Sequence, residues 1–141
     1  MVMLLVDKTK GSPPFFSKIG AFIEMIQTNS ADQSFTSNGP LSGFRILDLS
    51  SVVSGPMAAV VLADQGADVI KIEPPGWGDG IRGLGASRNG VSAIYALINR
   101  NKRSVAINLK HQAGRQLIQQ LVADADVLLQ NYRPGKMARL G

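Results

Sequence analysis

The apolar positions of the chain follow two different rhythms. Phe15, Ile19, Phe22 and Ile26 recur at helical spacing, with Phe16 and Ile23 beside them. That rhythm predicts one amphipathic helix, whose apolar face needs a partner in the same chain or in another subunit. Gly11-Ser12-Pro13-Pro14 interrupts structure before it, and the polar stretch Thr28 to Asn38 reads as a linker. From Phe44 onward, short apolar runs alternate with helical periods. Phe44–Leu49, Asp68–Glu73, Ser104–Leu109 and Asp126–Gln130 predict strands. Between them, Met57–Gln65, Val91–Asn99 and Gln112–Ala125 predict helices, the last with Leu117, Ile118 and Leu121 as its buried stripe. Pro56 suits a helix start, where its missing N–H does no harm. Gly66 suits the left-handed position just past a helix end. Pro74 to Gly90 is rich in glycine and predicts no regular element.

Strands alternating with helices through short connections predict an α/β fold, a doubly wound parallel sheet of Rossmann-like type. The sheet reads as incomplete. A parallel sheet is covered on both faces and usually has more strands, and Arg139-Leu140-Gly141 falls where a further helix begins. The expected organisation is an extension over residues 1–38 and the N-terminal portion of a larger domain over residues 39–141.

Composition narrows the function classes. A chain of 141 residues suits one domain. Its 45% hydrophobic and 18% charged residues exclude wholesale disorder. There is no cysteine, which excludes a disulfide scaffold, a cysteine nucleophile and a thiolate metal site. A single histidine, His111, excludes a histidine-rich metal cage. No metal ligands and no permanently bound cofactor are expected. The Met1–Val6 run lacks the basic flank and cleavage site of a secretory signal. No apolar run approaches the roughly 20 residues that span a bilayer. The expectation is an intracellular, cytoplasmic protein with no membrane partner. The net charge of +5 points to an anionic ligand.

Ligands of doubly wound sheets bind beyond the carboxyl ends of the strands. The small-residue loop Ser50 to Gly55 lies there, and Glu73 ends the second strand where dinucleotide-binding proteins place a ribose-binding acid. An NAD or FAD site is disfavoured, because the loop has one glycine, Gly55, followed by Pro56, and no G-x-G-x-x-G. Arg100, Lys102 and Arg103 form a compact basic patch, which reads either as an anion-attracting site or as a solvated charge run. Nucleic acid is not expected, since Trp77, Tyr95 and Tyr132 supply no stacking pattern along a basic face. Lys110 follows the third strand. Asn131-Tyr132-Arg133-Pro134-Gly135 and Arg139 follow the fourth, offering an amide, an aromatic face and guanidinium groups. The Gly-rich stretch reads as a mobile loop over the site, with Asp79 a solvated acid on it.

In order along the chain stand Gly39-Pro40-Leu41-Ser42-Gly43, Arg45-Ile46-Leu47-Asp48-Leu49-Ser50, Gly55-Pro56 and Leu62-Ala63-Asp64. Gly66-Ala67-Asp68-Val69-Ile70-Lys71-Ile72-Glu73, Pro75-Gly76, Gly78-Asp79 and Asn99-Arg100-Asn101-Lys102-Arg103-Ser104 come next. Leu109-Lys110, Ala125-Asp126-Val127-Leu128, Asn131-Tyr132-Arg133-Pro134-Gly135 and Arg139-Leu140-Gly141 complete the series. This series resembles the class III CoA-transferases, the group of formyl-CoA transferase, carnitine-CoA transferase and alpha-methylacyl-CoA racemase. The first 38 residues fall outside the resemblance.

The resemblance implies a Rossmann-like large domain that binds coenzyme A as substrate. It implies that Val53 and Ser54 line the CoA pocket. It implies that Ile107, Asn108, Leu109 and Lys110 border the adenosine and phosphates, and that Asn131, Tyr132 and Arg139 make further contacts. Transferase members move CoA between carboxylic acids through an aspartyl intermediate, and racemase members shift an alpha proton with an acid/base pair. The catalytic acid lies downstream of the matching segment, so no catalytic residue is assigned here and the chain alone is expected to be inactive. The implied partners are an acyl-CoA, a carboxylic acid and a second copy in an interlocked homodimer. Pro74 stands where formyl-CoA transferase-like members carry arginine, which implies something other than a strict oxalate enzyme. The alternatives are a racemase-like fragment, a non-catalytic CoA- or nucleotide-binding module, or a partner subunit.

Overall fold

A computed structural model of the chain describes residues 39–140 and the backbone of residues 2–5. The amphipathic segment Phe15–Ile26 and the linker Thr28–Asn38 lie outside the described residues. The main sheet contains β1 (Val2–Leu5), β2 (Arg45–Asp48), β3 (Asp68–Glu73), β6 (Lys102–Ala106) and β7 (Val127–Gln130). A small hairpin pairs β4 (Ser87–Arg88) with β5 (Val91–Ser92). The helices are α1 (Ser54–Asp64), α2 (Ala93–Asn99) and α3 (Gln112–Ala123), and Gly80–Gly83 forms a single 3-10 turn.

The sheet runs in the order β1-β7-β2-β3-β6. β1 is antiparallel to β7, and the other neighbours are parallel. The chain thus steps from β2 to β3 to β6 in one direction and returns to the far side of β2 for β7. Crossovers between parallel strands are right-handed. Reversing the direction of travel therefore puts α3 on the opposite face from α1 and α2.

The side-chain alternation of the strands confirms this layering. Ile46, Val69, Val127 and Leu129 face α1, whose Ala59 and Ala63 complete one core. Leu47, Ile70, Ile72 and Leu128 face α3, which contributes Leu117, Ile118, Leu121 and Val122. Both faces are covered, so the strands read as nearly continuous apolar runs.

The expected α/β sheet, the Gly66 stop and the α3 stripe all appear. Gly66 has φ +98, its N–H donates to the Ala63 carbonyl at 3.0 Å, and Ala67 N–H donates to Leu62 at 3.2 Å. These two bonds form a Schellman motif that consumes carbonyls left open at the end of α1.

Four sequence expectations need correction. The first helix begins at Ser54, not Met57, and Pro56 lies within its first turn. The third strand is Lys102–Ala106, not Ser104–Leu109. Its ladder with β3 begins at Val69 and ends at Glu73, where the partner strand ends. Beyond it, Asn108 turns the chain toward α3 by accepting bonds from Lys110 N–H and His111 N–H. The second helix begins at Ala93, not Val91, because Ser92 caps it through the Tyr95 N–H and Val91 pairs with Arg88. The Gly-rich stretch does contain regular structure, namely the 3-10 turn and strand β4. The sheet also gains β1, which the hydrophobic pattern did not predict.

Candidate functional site

The strand order reverses between the parallel neighbours β2 and β7, and ligands of such sheets bind beyond the carboxyl ends at this point. Here the loop after β2 and the segment after β7 are laced together. Ser51 N–H donates to Asn131 Oδ1 at 2.9 Å, and Asn131 Nδ2 donates back to the Ser51 carbonyl at 2.8 Å. Gly55 is required beside them, since a Cβ there would stand 2.2 Å from the Ser50 Cβ. Val52 is left-handed at φ 68, a conformation that β-branched residues rarely adopt.

Beneath this loop lies a buried charged cluster. Asp48, Lys71 and Asp79 are 0%, 1% and 4% exposed. The Lys102 ammonium donates to Asp48 Oδ2 at 2.9 Å, to the Pro56 carbonyl at 2.8 Å and to Asn99 Oδ1 at 3.0 Å. Lys71 donates to the Ser50 carbonyl at 2.9 Å and pairs with Asp79 Oδ2 at 3.0 Å. The Ser50 hydroxyl and N–H both donate to Asp48 Oδ1. Two carboxylates and two ammonium groups thus balance in a region without solvent, as buried charges require. Burial pushes the Lys102 ammonium below its usual range, and neighbouring Asp48 works against that shift.

Glu73 anchors the adjoining hub. It accepts two bonds from Arg82, both at 2.7 Å, and one each from Tyr95 Oη and Ser104 Oγ at 2.7 Å. The Asp79 N–H adds another at 2.8 Å. Burial opposes its charge, yet the bonds from Arg82, Ser104, Asp79 and Tyr95 hold its carboxyl well below the usual range. Burial, together with Glu73 beside it, raises the Tyr95 phenol. With its oxygens so engaged, Glu73 is not a free ribose acceptor, which agrees with the missing dinucleotide fingerprint.

Sequence reasoning misjudged Lys102 and Asp79. Arg100 pairs with Asp64, Arg103 with Asp68, and Lys102 is buried against Asp48. Lys102 is thus withdrawn from the patch, whereas Arg100 and Arg103 stand half-exposed in surface ion pairs, as a solvated charge run does. Asp79 is a buried ion-pair partner, not a solvated acid.

An open cleft lies on the other side of the loop edge, beyond β3 and β6. Ile72, Glu73 and Pro74 line it from β3, and Ile107, Asn108, Leu109 and Lys110 line it from the turn after β6. Tyr132, Lys136 and Leu140 complete it. The Lys136 ammonium sits 3.7 Å from the centre of the Tyr132 ring, a cation–π contact. Burial raises the Tyr132 phenol, with Asp48 and Asp79 adding to the shift. Gly114 lets α3 approach this turn, since a Cβ there would stand 2.1 Å from the Asn108 carbonyl oxygen.

The structure therefore gathers Ile107, Asn108, Leu109, Lys110 and Tyr132 around one cleft. Asn131 lies beside it, its amide engaged with Ser51. Val53 and Ser54 are exposed at the start of α1, and Arg139 is exposed outside the cleft lining. Lys136 was missed in the sequence, although its place four residues after Tyr132 in a turn was a usable signal. Among the described residues, no group of His, Asp and Glu is placed to hold a metal ion.

Residues 41–141 match the family model described as CoA-transferase family III. The chain belongs to this family. Succinyl-CoA:glutarate CoA-transferase of Homo sapiens is 47% identical over 103 residues, covering 72% of this chain and 24% of that protein. Formyl-CoA:oxalate CoA-transferase of Escherichia coli is 41% identical over 103 residues, covering 72% and 25%. A solved CAIB/BAIF family protein from Brucella suis superposes with TM-score 0.68 at 36% identity, covering 73% of this chain and 28% of that one. The chain thus spans about a quarter of the length of the curated relatives it matches. Among the described residues, no helix of this family III chain is long and apolar enough to cross a membrane.

Proposed function

We propose that this chain is the CoA-binding portion of a class III CoA-transferase. The observation that carries this reading is the cleft beyond β3 and β6. It combines an apolar floor of Ile72, Ile107 and Leu109 with a neutral aromatic face on Tyr132 and ammonium groups on Lys110 and Lys136. An adenine nucleotide bearing several phosphates needs these three features together. The ring stacks the base, the floor excludes water, and the cations meet the phosphate oxygens. Val53, Ser54, Asn131 and Arg139 extend the site toward the rest of the CoA molecule. The relatives' names point to acyl-CoA and carboxylic acid substrates.

In the full reaction, an aspartate carboxylate attacks the acyl-CoA thioester and expels the CoA thiolate, leaving a mixed anhydride. The thiolate then attacks the aspartyl carbonyl and releases the acyl group as a carboxylate. The acceptor carboxylate next attacks the resulting aspartyl-CoA thioester, forming an anhydride that thiolate resolves into the new acyl-CoA. The nucleophile is not one of the acids in this edge. Asp48, Glu73 and Asp79 are buried and engaged, and Asp64 and Asp68 are in surface ion pairs. On this reading the chain binds CoA, and turnover needs an aspartate that these acids do not supply.

Calorimetric titration with CoA and with dephospho-CoA tests the reading. Saturable binding, weaker for dephospho-CoA and weakened by salt, is expected. Equal affinity for the two ligands, or none for either, would overturn it. Acyl exchange by the chain alone would overturn the claim of inactivity.

A further inference from the structure

We infer that Asp79, together with Lys71, is a positioning latch that sets the conformation of the Ser50–Gly55 loop. Asp79 lies on the Gly-rich segment, yet its side chain is turned in under the loop after β2. Its Oδ1 accepts the Val52 N–H at 3.2 Å and the Ile81 N–H at 3.1 Å. Its Oδ2 meets the Lys71 ammonium at 3.0 Å, and the same ammonium holds the Ser50 carbonyl at 2.9 Å. Its own N–H is held by Glu73 at 2.8 Å. The Asp79 carboxylate thus ties the Gly-rich segment to Val52 and to Lys71 of β3, and Lys71 holds Ser50 on the other side of the bend.

The residue it holds is the strained one. Val52 is β-branched, 54% exposed and left-handed at φ 68. Its side chain, more than half in solvent, gives little packing to enforce that conformation, so the N–H bond to a buried charged acceptor restrains it directly, beside the Asn131 bonds that hold Ser51. Val52 directly precedes Val53, whose carbonyl accepts the Met57 N–H at 2.8 Å and so opens α1. The left-handed bend therefore decides where α1 begins and where Val53 and Ser54 stand. The consequence for ligand binding rests on the CoA reading above, whereas the latch itself does not.

Amide hydrogen exchange tests the latch without any ligand. In the unaltered chain, Val52 and Ile81 share one acceptor, so both amides should be protected. A rapidly exchanging Val52 amide would overturn the proposal. In Asp79→Ala, exchange at Val52 should accelerate about 10- to 100-fold, the loss expected for a bond to a charged acceptor. Core amides such as Leu47 report any global loss from leaving Lys71 with Asp48 at 3.9 Å, and should accelerate less than Val52; equal acceleration at both would overturn the proposal. Unchanged Val52 exchange in that variant would overturn the proposal.

Titration with CoA then reads the positioning. Asp79→Ala should weaken CoA about ten-fold, and adding Val52→Gly should recover part of the loss, because glycine accepts positive φ without a restraint. A purely structural role for Asp79 would leave the double variant as weak as the single one, which would overturn positioning. If the unaltered chain shows the expected exchange pattern but binds no CoA, the CoA reading falls and the latch stands.

Discussion

Two regions share the carboxyl edge of the sheet and use lysine in opposite ways. Under the loop after β2, Lys71 and Lys102 are buried and face Asp48 and Asp79. In the cleft beyond β6, Lys110 and Lys136 have no carboxylate partner among the described residues, and Lys136 rests on an aromatic ring. The first pair has its charge matched inside the protein, so it can only hold shape. The second pair keeps charge available to an anion from outside. The lesson is that a cation near a ligand edge signals binding only when the fold leaves it unmatched.

The largest expected effect comes from unbalancing the buried cluster. Lys102→Met strands Asp48 with Lys71 at 3.9 Å as its remaining cation. Removing one partner of a buried ion pair costs about 3–5 kcal/mol. Urea denaturation should show that loss, and a change below about 1 kcal/mol would place the pair with weak surface bridges. Gly55→Ala ranks next. Its new methyl would collide with buried Ser50, and overpacking of this kind costs about 1–3 kcal/mol. A variant as stable as the parent would show that the loop gives way easily.

Acid sharpens the contrast through Glu73. Its folded carboxyl titrates below its ordinary value of 4.5. Such a group stabilises the fold fully above the unfolded value, and the contribution fades as pH falls below about 4.5 toward the folded value. Urea midpoints measured from neutral pH down to pH 3 should decline over that range, and Glu73→Gln should flatten the decline. An equally steep fall in the variant would assign the acid sensitivity elsewhere.

The smallest stability effect belongs to the cleft. Lys136→Ala should change stability by no more than about 0.5 kcal/mol, as for exposed sites without a buried partner. It should nonetheless weaken CoA several-fold, read by titration at low and moderate salt. A large stability loss with unchanged CoA affinity would reverse the comparison between the two regions.

The sequence by itself determined the layered α/β plan. Ile46-Leu47, Val69-Ile70 and Val127-Leu128 are adjacent apolar pairs, and a strand buried on both faces needs both members. It also determined the stop at Gly66, because a glycine meets no steric penalty in the left-handed position. The residues that the family resemblance singled out as CoA contacts include Ile107 to Lys110 and Tyr132, and the structure places these around one cleft. Strand limits near Lys102 were not legible, because a ladder ends where its partner ends. The fates of the charged residues were decided by tertiary structure alone. Lys102 and Lys110 are chemically identical in the sequence. Strand order set one against Asp48, 54 positions away, and left the other beside an open cleft. Likewise, Asp79 looked like a solvated loop acid until Lys71 of the preceding strand and the Val52 N–H, 27 positions away, were brought to it. Apolar periodicity is a local property that a chain carries in its own order, whereas charge matching is a property of pairs that only the folded sheet assembles.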